Sequence, residues 1–447
     1  MEPHYPANMR MAAKRMSNYN RNRFRLETVS AETSGPGRIV TVNLPENALL
    51  DMKSFKMHLD VLTTSAAHNG TTVYGRLPAD ASSLLSRVEV YLNGIQVQQG
   101  AAEYNTICRV LKIGRSSRDK DGSIDRALSH GAVSVANAIE DVSLCIADWK
   151  GFLGETSTRF LPTDLLGQIQ VRLTFAGNDV LVPRATGVGL DTNLSADAQL
   201  AAANISYSVS NMFFTIDSIQ VDEMYSQMLR QRLTQEEYIP INYREYYSFS
   251  LDNVTTGSHT SRFSLSAQSI DKLYGTFRDS NHQTVGVRGS EMSGATFTDN
   301  LLANAFRFRS FDSSETREGN MRYQFSINNV KTPQYRAGIR DALFDVGYAH
   351  DKVHESSQGT LVTSMESFHD GLFIVPLRLN HPGEPIAVQS GYNSKGINTM
   401  LTLEVTGQVP PTISANAQTT ASISSFIVAQ TTAQLRVGLG KSVAISF

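Results

Sequence analysis

Apolar and polar residues alternate along most of this chain. From residue 38, Val40, Val42 and Leu44 alternate with Thr41 and Asn43; after a polar corner at 45–51, Phe55, Met57, Leu59 and Val61 alternate with Lys56, His58 and Asp60. A period of two puts one face in a core and the other in water, as in the antiparallel sheets of β-sandwiches. Val88, Val90 and Leu92 continue the pattern into Asn93-Gly94, a type I′ hairpin signal. Ile169, Val171, Leu173 and Phe175 give a further strand, then Ile205, Tyr207 and Val209, then Ile216 and Ile219. The second half repeats the style in Phe249/Leu251, Phe263/Leu265, Phe306/Phe308, Tyr323/Phe325/Ile327, residues 372–379 and 401–405, Leu435/Val437/Leu439 and Val443/Ile445/Phe447.

Three stretches break the alternation with a helical pattern. Residues 104–113 read as a helix inserted in a loop. Asp222 suits the N-cap of a short helix carrying Tyr225, Met228 and Leu229. Within 334–349, Ile339, Ala342, Leu343 and Val346 recur at i, i+3, i+4 and i+7, so one face is expected to pack on a sandwich. Residues 115–131 and 184–204 read as long loops.

The two halves share an order of residue types. Arg87-Val-Glu-Val-Tyr-Leu-Asn-Gly94 is matched by Arg322-Tyr-Gln-Phe-Ser-Ile-Asn-Asn329, each followed by a helical pattern. Gln168-Ile-Gln-Val-Arg-Leu-Thr-Phe175 is matched by Asn398-Thr-Met-Leu-Thr-Leu-Glu-Val405. The offsets are close to half the chain, as a tandem copy of one β domain would give. A length of 447 residues also favours two cores over one. Immunoglobulin-like domains need only about 100 residues with frequent short turns, whereas long variable loops fit jelly rolls.

Composition narrows the function classes. Apolar content of 41% and charge of 18% describe a chain that can bury real cores. Ser, Thr, Asn and Gln replace the missing charge, which suits surfaces covered by neighbours. A net charge of −2 supplies no global field for nucleic acid, so any such contact must be local. Only Cys108 and Cys145 occur, which is no disulfide framework. The expectation is a soluble protein made in a reducing compartment, without a secretory or membrane-spanning segment. On that basis the sequons at Asn69, Asn204 and Asn253 are expected to be incidental.

The first residues carry a separate signal. Arg10, Lys14, Arg15, Arg21, Arg23 and Arg25 fall in a stretch with no acid and no apolar periodicity, read as a flexible basic arm over residues 1–25. Its cations suit phosphates of a genome or anionic lipid, while Met9, Met11, Met16 and Tyr19 suit docking on protein.

Catalytic patterns are sparse. Gly187-Val-Gly189 lacks the remainder of a phosphate loop, and no Gly-x-Ser-x-Gly elbow occurs. His350 and His354 have metal-ligand spacing, but Asp-Lys-Val between them omits the Glu base of zinc proteases. Asp119-Lys-Asp121-Gly122-Ser-Ile-Asp125 misplaces the glycine of a calcium loop. The cysteines read as small core residues. Trp149 reads as a packing anchor or, alternatively, as the platform of a carbohydrate-binding or carbohydrate-active sandwich with paired carboxylates. No catalytic residue, metal or cofactor is expected.

The order of strand 38–44, corner 45–51, strand 55–61, then 88–94 and Phe160-Leu-Pro-Thr-Asp-Leu-Leu-Gly-Gln-Ile-Gln-Val-Arg-Leu173 resembles the first domain of double jelly-roll major capsid proteins. Residues 322–329, with Pro333 and the helix after it, resemble the second. The family serves virophages, polinton-like viruses, large DNA viruses of eukaryotes and tectivirus-type phages. The resemblance implies an all-β fold of two tandem eight-stranded jelly rolls with short inserted helices, at 26–235 and 236–447. It also implies a homotrimer that mimics a hexagon, tiles an icosahedral virion shell with minor capsid and penton proteins, and is made in host cytoplasm or a virus factory. The arm would then lie on the inner face, toward genome or membrane.

Overall fold

The computed structural model describes residues 20–29, 33–78, 80–113, 139–185, 196–220, 223–280, 306, 308–312, 319–349, 368–369, 371–381, 386–396, 399–410 and 422–446. In chain order the strands of the first half are β1 (Asn20–Leu26), β2 (Ile39–Asn43), β3 (Leu49–Thr63), β4 (Ser65–His68), β5 (Thr71–Arg76), β6 (Leu85–Leu92), β7 (Ile95–Gln98), β8 (Asp141–Ile146), β9 (Phe160–Pro162), β10 (Ile169–Phe175), β11 (Val182–Ala185) and β12 (Tyr207–Gln220). Those of the second half are β13 (Tyr238–Val254), β14 (His259–Ser264), β15 (Ile270–Asp279), β16 (Arg322–Ile327), β17 (Val330–Ala337), β18 (Ile374–Arg378), β19 (Met400–Thr406), β20 (Ile423–Gly438) and β21 (Val443–Ser446). Three helices matter here: α1 (Tyr104–Ile113), α2 (Glu223–Glu236) and α3 (Ile339–Ala349).

Each half is a sandwich of a five-stranded and a four-stranded antiparallel sheet, with β9 added on β3 in the first half and β21 on β20 in the second. In the first, β1-β12-β3-β8 faces β2-β10-β6-β7; in the second, β13-β20-β15-β18 faces β14-β19-β16-β17. Position by position the orders coincide, and both are those of an eight-stranded jelly roll. β6 therefore corresponds to β16 and β10 to β19, so both sequence pairs that suggested a duplication fall on equivalent strands. The hairpins after β6 and β16 also match: Asn93 and Gly94 have φ of 47° and 81°, Asn328 and Asn329 have 47° and 69°. These are the left-handed positions that a two-residue type I′ turn requires. Outside the sandwiches, β11-β5-β4 forms a small sheet that the residue pattern did not announce.

The alternation does what its period predicts. Val88, Val90 and Leu92 of β6 and Ile169, Val171 and Leu173 of β10 are fully buried, pairing across the sheet in register Leu92↔Ile169, Val90↔Val171, Val88↔Leu173. In the second half the two layers approach so closely that a Cβ on Gly275 of β15 would lie 2.6 Å from Leu403 Cδ2 of β19. A side chain there would have to push the end of Leu403 aside.

Four expectations change. Residues 20–25, read as the end of a flexible arm, belong to β1, which pairs along its length with β12 from Asn20↔Gln220 to Leu26↔Phe214. The alternation is hidden there because β1 is an edge strand with both faces largely exposed. The helix read over 334–349 starts at Ile339, because residues through Ala337 continue the hairpin strand β17 against β16. Phe306 and Phe308 form no strand; Phe308 makes one isolated bridge to Leu372. Helix Ala196–Ala202 lies within the loop expected at 184–204. The His350/His354 pair, Asp222 and all of 115–131, with the 119–125 acidic loop, lie outside the described residues.

Candidate assembly surfaces

Arg21, Arg23 and Arg25 project from β1 over the outer layer of the first half. Arg21 and Arg23 converge on the buried Asp217 of β12, with Arg23 Nε 2.7 Å from Asp217 Oδ1. Arg159 completes the group from the other side, donating to Asp51 Oδ2 at 2.7 Å, and Arg21 approaches Asp51 at 3.9 Å. Hydrogen bonding from Arg23 is the main cause holding the Asp217 carboxyl below its usual range, against the opposing effect of burial. Arg25 pairs with Glu27 at 2.8 Å and lies 4.3 Å over the Phe213 ring. Three of the six cations read as assembly contacts are thus engaged in holding an edge strand, with their outer surfaces half exposed. Arg10, Lys14 and Arg15 lie outside the described residues. Nothing in the sequence spacing pointed to Asp51, Asp217 or Arg159, since a contact between β1 and β12 joins residues 196 apart.

The outer face of β1-β12-β3 continues with a stack. Phe213 lies parallel to His58 at 4.6 Å, with Arg25 on the ring and Lys56 nearby. Burial, with Lys56 and Arg23 adding repulsion, lowers the His58 pKa. Cys145 sits opposite His58 in the β3–β8 register, but burial raises its thiol pKa. Cys108 is buried in the first core and pushed up to about 12. Neither thiol is activated as a nucleophile would be.

Trp149 is inside the protein, donating from Nε1 to the Phe55 carbonyl at 2.9 Å with its ring 5.3 Å from that of Phe55. A buried indole with its only donor satisfied is a packing anchor, which removes the aromatic platform that the carbohydrate alternative needed. Among the described residues no group of three or more His, Cys, Asp or Glu is placed to hold a metal ion, and no helix is long and apolar enough to cross a membrane.

The two halves meet over a broad junction. α1 bridges both cores: Tyr104 and Cys108 pack in the first, Ile107, Val110 and Ile113 in the second. Around it, Arg278 of β15, 1% exposed, pairs with Glu103 and donates to Thr106 Oγ1 at 3.1 Å. Tyr243 of β13 donates to the Val97 carbonyl at 2.9 Å and meets the Phe152 ring edge-on at 5.3 Å. Arg244 lies 3.7 Å from Glu155, and Tyr246 donates to Glu155 at 2.7 Å. The buried Glu245 accepts from the Gln99 amide at 3.2 Å and from Tyr247 at 3.0 Å; burial raises its pKa to about 7.

α3 occupies in the second half the place that α1 occupies in the first, after the equivalent hairpin. Its inner face, Ile339, Ala342, Val346 and Ala349, packs in the second core. Its outer face carries Phe344 and Tyr348, 64% and 45% exposed. Phe344 and Tyr348 at i and i+4 are a second apolar stripe, legible in the sequence but overlooked beside the first.

Two jelly rolls of identical strand order, fused in one chain and packed side by side, define a double jelly-roll protein. Its solved counterparts include the PBCV-1 virus capsid (TM-score 0.58, 14% identity, covering 97% of this chain and 98% of that one). The Faustovirus major capsid protein aligns with TM-score 0.57 at 9% identity over 98% of this chain and 92% of its own. A chain of the Sputnik virophage aligns with TM-score 0.52 at 12% identity over 97% and 89%. No family model matches the sequence, and no curated protein matches it. At such identities the likeness is one of fold.

Proposed function

We propose that this chain is a major capsid protein: a structural subunit that trimerises into pseudo-hexameric capsomers and tiles an icosahedral virion shell. The observation that carries this reading is the side-by-side pair of equivalent jelly rolls, alike over nearly their whole length to the capsid proteins named above. Fusing two equivalent sandwiches gives a trimer six similar corners, so three chains fill a hexagonal site. The chain then acts by burying surface between copies, in the obligate class of roughly 2,000–5,000 Å² per interface, and needs no catalytic residue. The division at residues 235/236 separates the sandwiches at the end of α2, with a basic segment ahead of them. Arg10, Lys14 and Arg15, with the exposed edges of Arg21, Arg23 and Arg25, serve as inner-face contacts to genome, internal membrane or protein; minor capsid and penton proteins are the further partners.

Light scattering after size exclusion tests the reading. The expected particle has about three times the 49.1 kDa chain mass, and concentrated samples should show hexagonal capsomers in electron micrographs. A monodisperse monomer across micromolar concentrations at moderate salt would sink it. Deleting residues 2–19 should leave the melting temperature nearly unchanged but impair closed shells. Replacing Arg10, Lys14 and Arg15 with Gln separates charge from Met and Tyr docking, because only the charge mechanism loses assembly and weakens steeply with salt.

A further inference from the structure

The chain holds two Asn-Gly dipeptides, Asn69-Gly70 and Asn93-Gly94. Each is the whole loop of a two-residue hairpin, closed by His68↔Thr71 between β4 and β5 and by Leu92↔Ile95 between β6 and β7. Their backbones are nearly the same: φ is 45° and 79° in the first turn, 47° and 81° in the second. All four residues are exposed, and neither glycine has a heavy atom within 4 Å of where its Cβ would stand. Solvent access and backbone conformation therefore do not tell the two turns apart.

The side-chain amides do. Asn93 donates from Nδ2 to the carbonyls of Leu166 at 2.9 Å and Lys441 at 3.2 Å, and its Oδ1 accepts from the Gln168 amide at 3.1 Å. A Cβ on Gly167 would lie 2.2 Å from that Oδ1, so the carboxamide is clamped between two backbone segments. Asn69 makes one exposed hydrogen bond among the described residues, from Nδ2 to Asp197 Oδ1 at 3.0 Å. The difference matters for the chemistry of the pair, because glycine has no Cβ to shield its amide nitrogen from the side chain before it. The glycine nitrogen, losing its proton to water or hydroxide, forms a bond to the asparagine Cγ. The Cγ–Nδ2 bond breaks, ammonia leaves, and a five-membered imide closes. Water then opens either C–N bond of the imide, leaving aspartate or isoaspartate; nothing is oxidised or reduced. Closure needs Cγ to swing over the next nitrogen, so every hydrogen bond that holds the carboxamide must first be released.

We propose that Asn69 is a site of spontaneous deamidation in the folded protein, that its clamp protects Asn93 from the same reaction, and that conversion of Asn69 detaches the β4–β5 turn from helix Ala196–Ala202. Before conversion the amide donates to Asp197. Afterwards position 69 offers no donor and sets a carboxylate against a carboxylate. His68 Nε2, 3.7 Å from the same Asp197 oxygen, is left as the contact of the turn with that helix. The small sheet β11-β5-β4 thus carries a one-way clock, and the base-dependent first step makes it run faster as pH rises.

Peptide mapping by mass spectrometry, with isoaspartyl methyltransferase labelling, tests the chemistry on the full chain held folded at mildly alkaline pH beside the same chain in urea. In urea both dipeptides should convert at similar rates. In the folded chain conversion at Asn93 should be slower than at Asn69 by at least about tenfold, since two further hydrogen bonds must open. An Asn69 that stays an amide in the folded chain while converting in urea overturns the proposal, as does an Asn93 that keeps pace with it. Asn69→Asp reads the consequence: amide hydrogen exchange should speed up across helix Ala196–Ala202 and stay unchanged in β6 and β10. Unchanged exchange in that helix overturns the detachment. Should the substitution speed exchange throughout the chain, aged wild-type protein separated by charge on an ion-exchange column supplies the same reading.

Discussion

The layers β1-β12-β3-β8 and β13-β20-β15-β18 hold the same place in the same fold, yet they are built from different residues. In the first, β3 sets Phe55, Met57, Leu59 and Val61 into the core and turns Lys56, His58 and Asp60 outward. In the second, Ser424, Ser425, Gln430, Thr431 and Thr432 of β20 are all buried. Ser424 donates to Asp252 at 2.5 Å and Thr432 to Asp271 at 2.5 Å, while Gln430 Nε2 is buried without a partner. The lesson is that a jelly-roll layer facing a protein neighbour need not be apolar. Small, mostly hydrogen-bonded side chains let two sandwiches approach with few stranded polar atoms, Gln430 Nε2 among them, and they leave the fold's signature off the sequence.

The largest expected effect breaks the covered layer itself. Tyr243→Ala removes a fully buried ring and its hydrogen bond from the junction, and should cost roughly 3–5 kcal/mol. Urea unfolding should show it as a shift of one cooperative transition; two separate transitions in the wild type would mean that the halves do not stabilise each other. Glu103→Ala removes the carboxylate that pairs with the buried Arg278 and should cost about 2–3 kcal/mol, less than for a fully buried pair because Glu103 is partly exposed. The matching substitution on the uncovered layer, Arg25→Ala, breaks only a surface pair and should cost under about 1 kcal/mol.

pH separates the layers with opposite signs. Glu245 has a folded pKa raised to about 7, so its contribution is fully present below the unfolded carboxylate value and is lost as pH rises through about 7. Glu245→Gln should therefore flatten the stability profile between roughly pH 4.5 and 7 and stabilise the chain at pH 8. Asp217 in the other layer has a lowered pKa, with Arg23 as its main cause. Its contribution is present above the unfolded value and is lost as pH falls through the folded one. Arg23→Gln should make the acid limb of the melting-temperature profile shallower. That is the smallest effect expected, and a steeper limb would contradict the assignment.

Where a strand has one wet face, the sequence announced it: β2, β3, β6 and β10 were legible from their alternation, as was α1, residue for residue; β16 alternates in residue type although Gln324 and Ser326 on its polar face are also buried. β20 was visible only at Leu435 and Val437, where the residues between them stay partly exposed, because its earlier residues are covered on both sides and so lose the period. β1 was unreadable for the opposite reason, being exposed on both faces. Of the candidate surfaces, the basic residues drew notice by composition alone. Their partners Asp51, Asp217 and Arg159 could not be foreseen, since pairing the first strand of a jelly roll with its last is a property of topology. For α3 the apolar inner face was read and the aromatic outer one was not.

That pairing has a consequence in time. β1 meets β12 and β13 meets β20, so each sandwich joins its beginning to its end, Asn20 to Gln220 and Tyr238 to Gly438. Contacts so distant along the chain make folding slow, with sheet edges open meanwhile. On a ribosome the first sandwich can close while the second is still being synthesised, but Ile107, Val110 and Ile113 of α1 then have nothing to rest on. The nascent chain must hold that greasy face apart from its neighbours until its own second half arrives, and on a crowded polysome the neighbours are further copies offering the same folded surfaces.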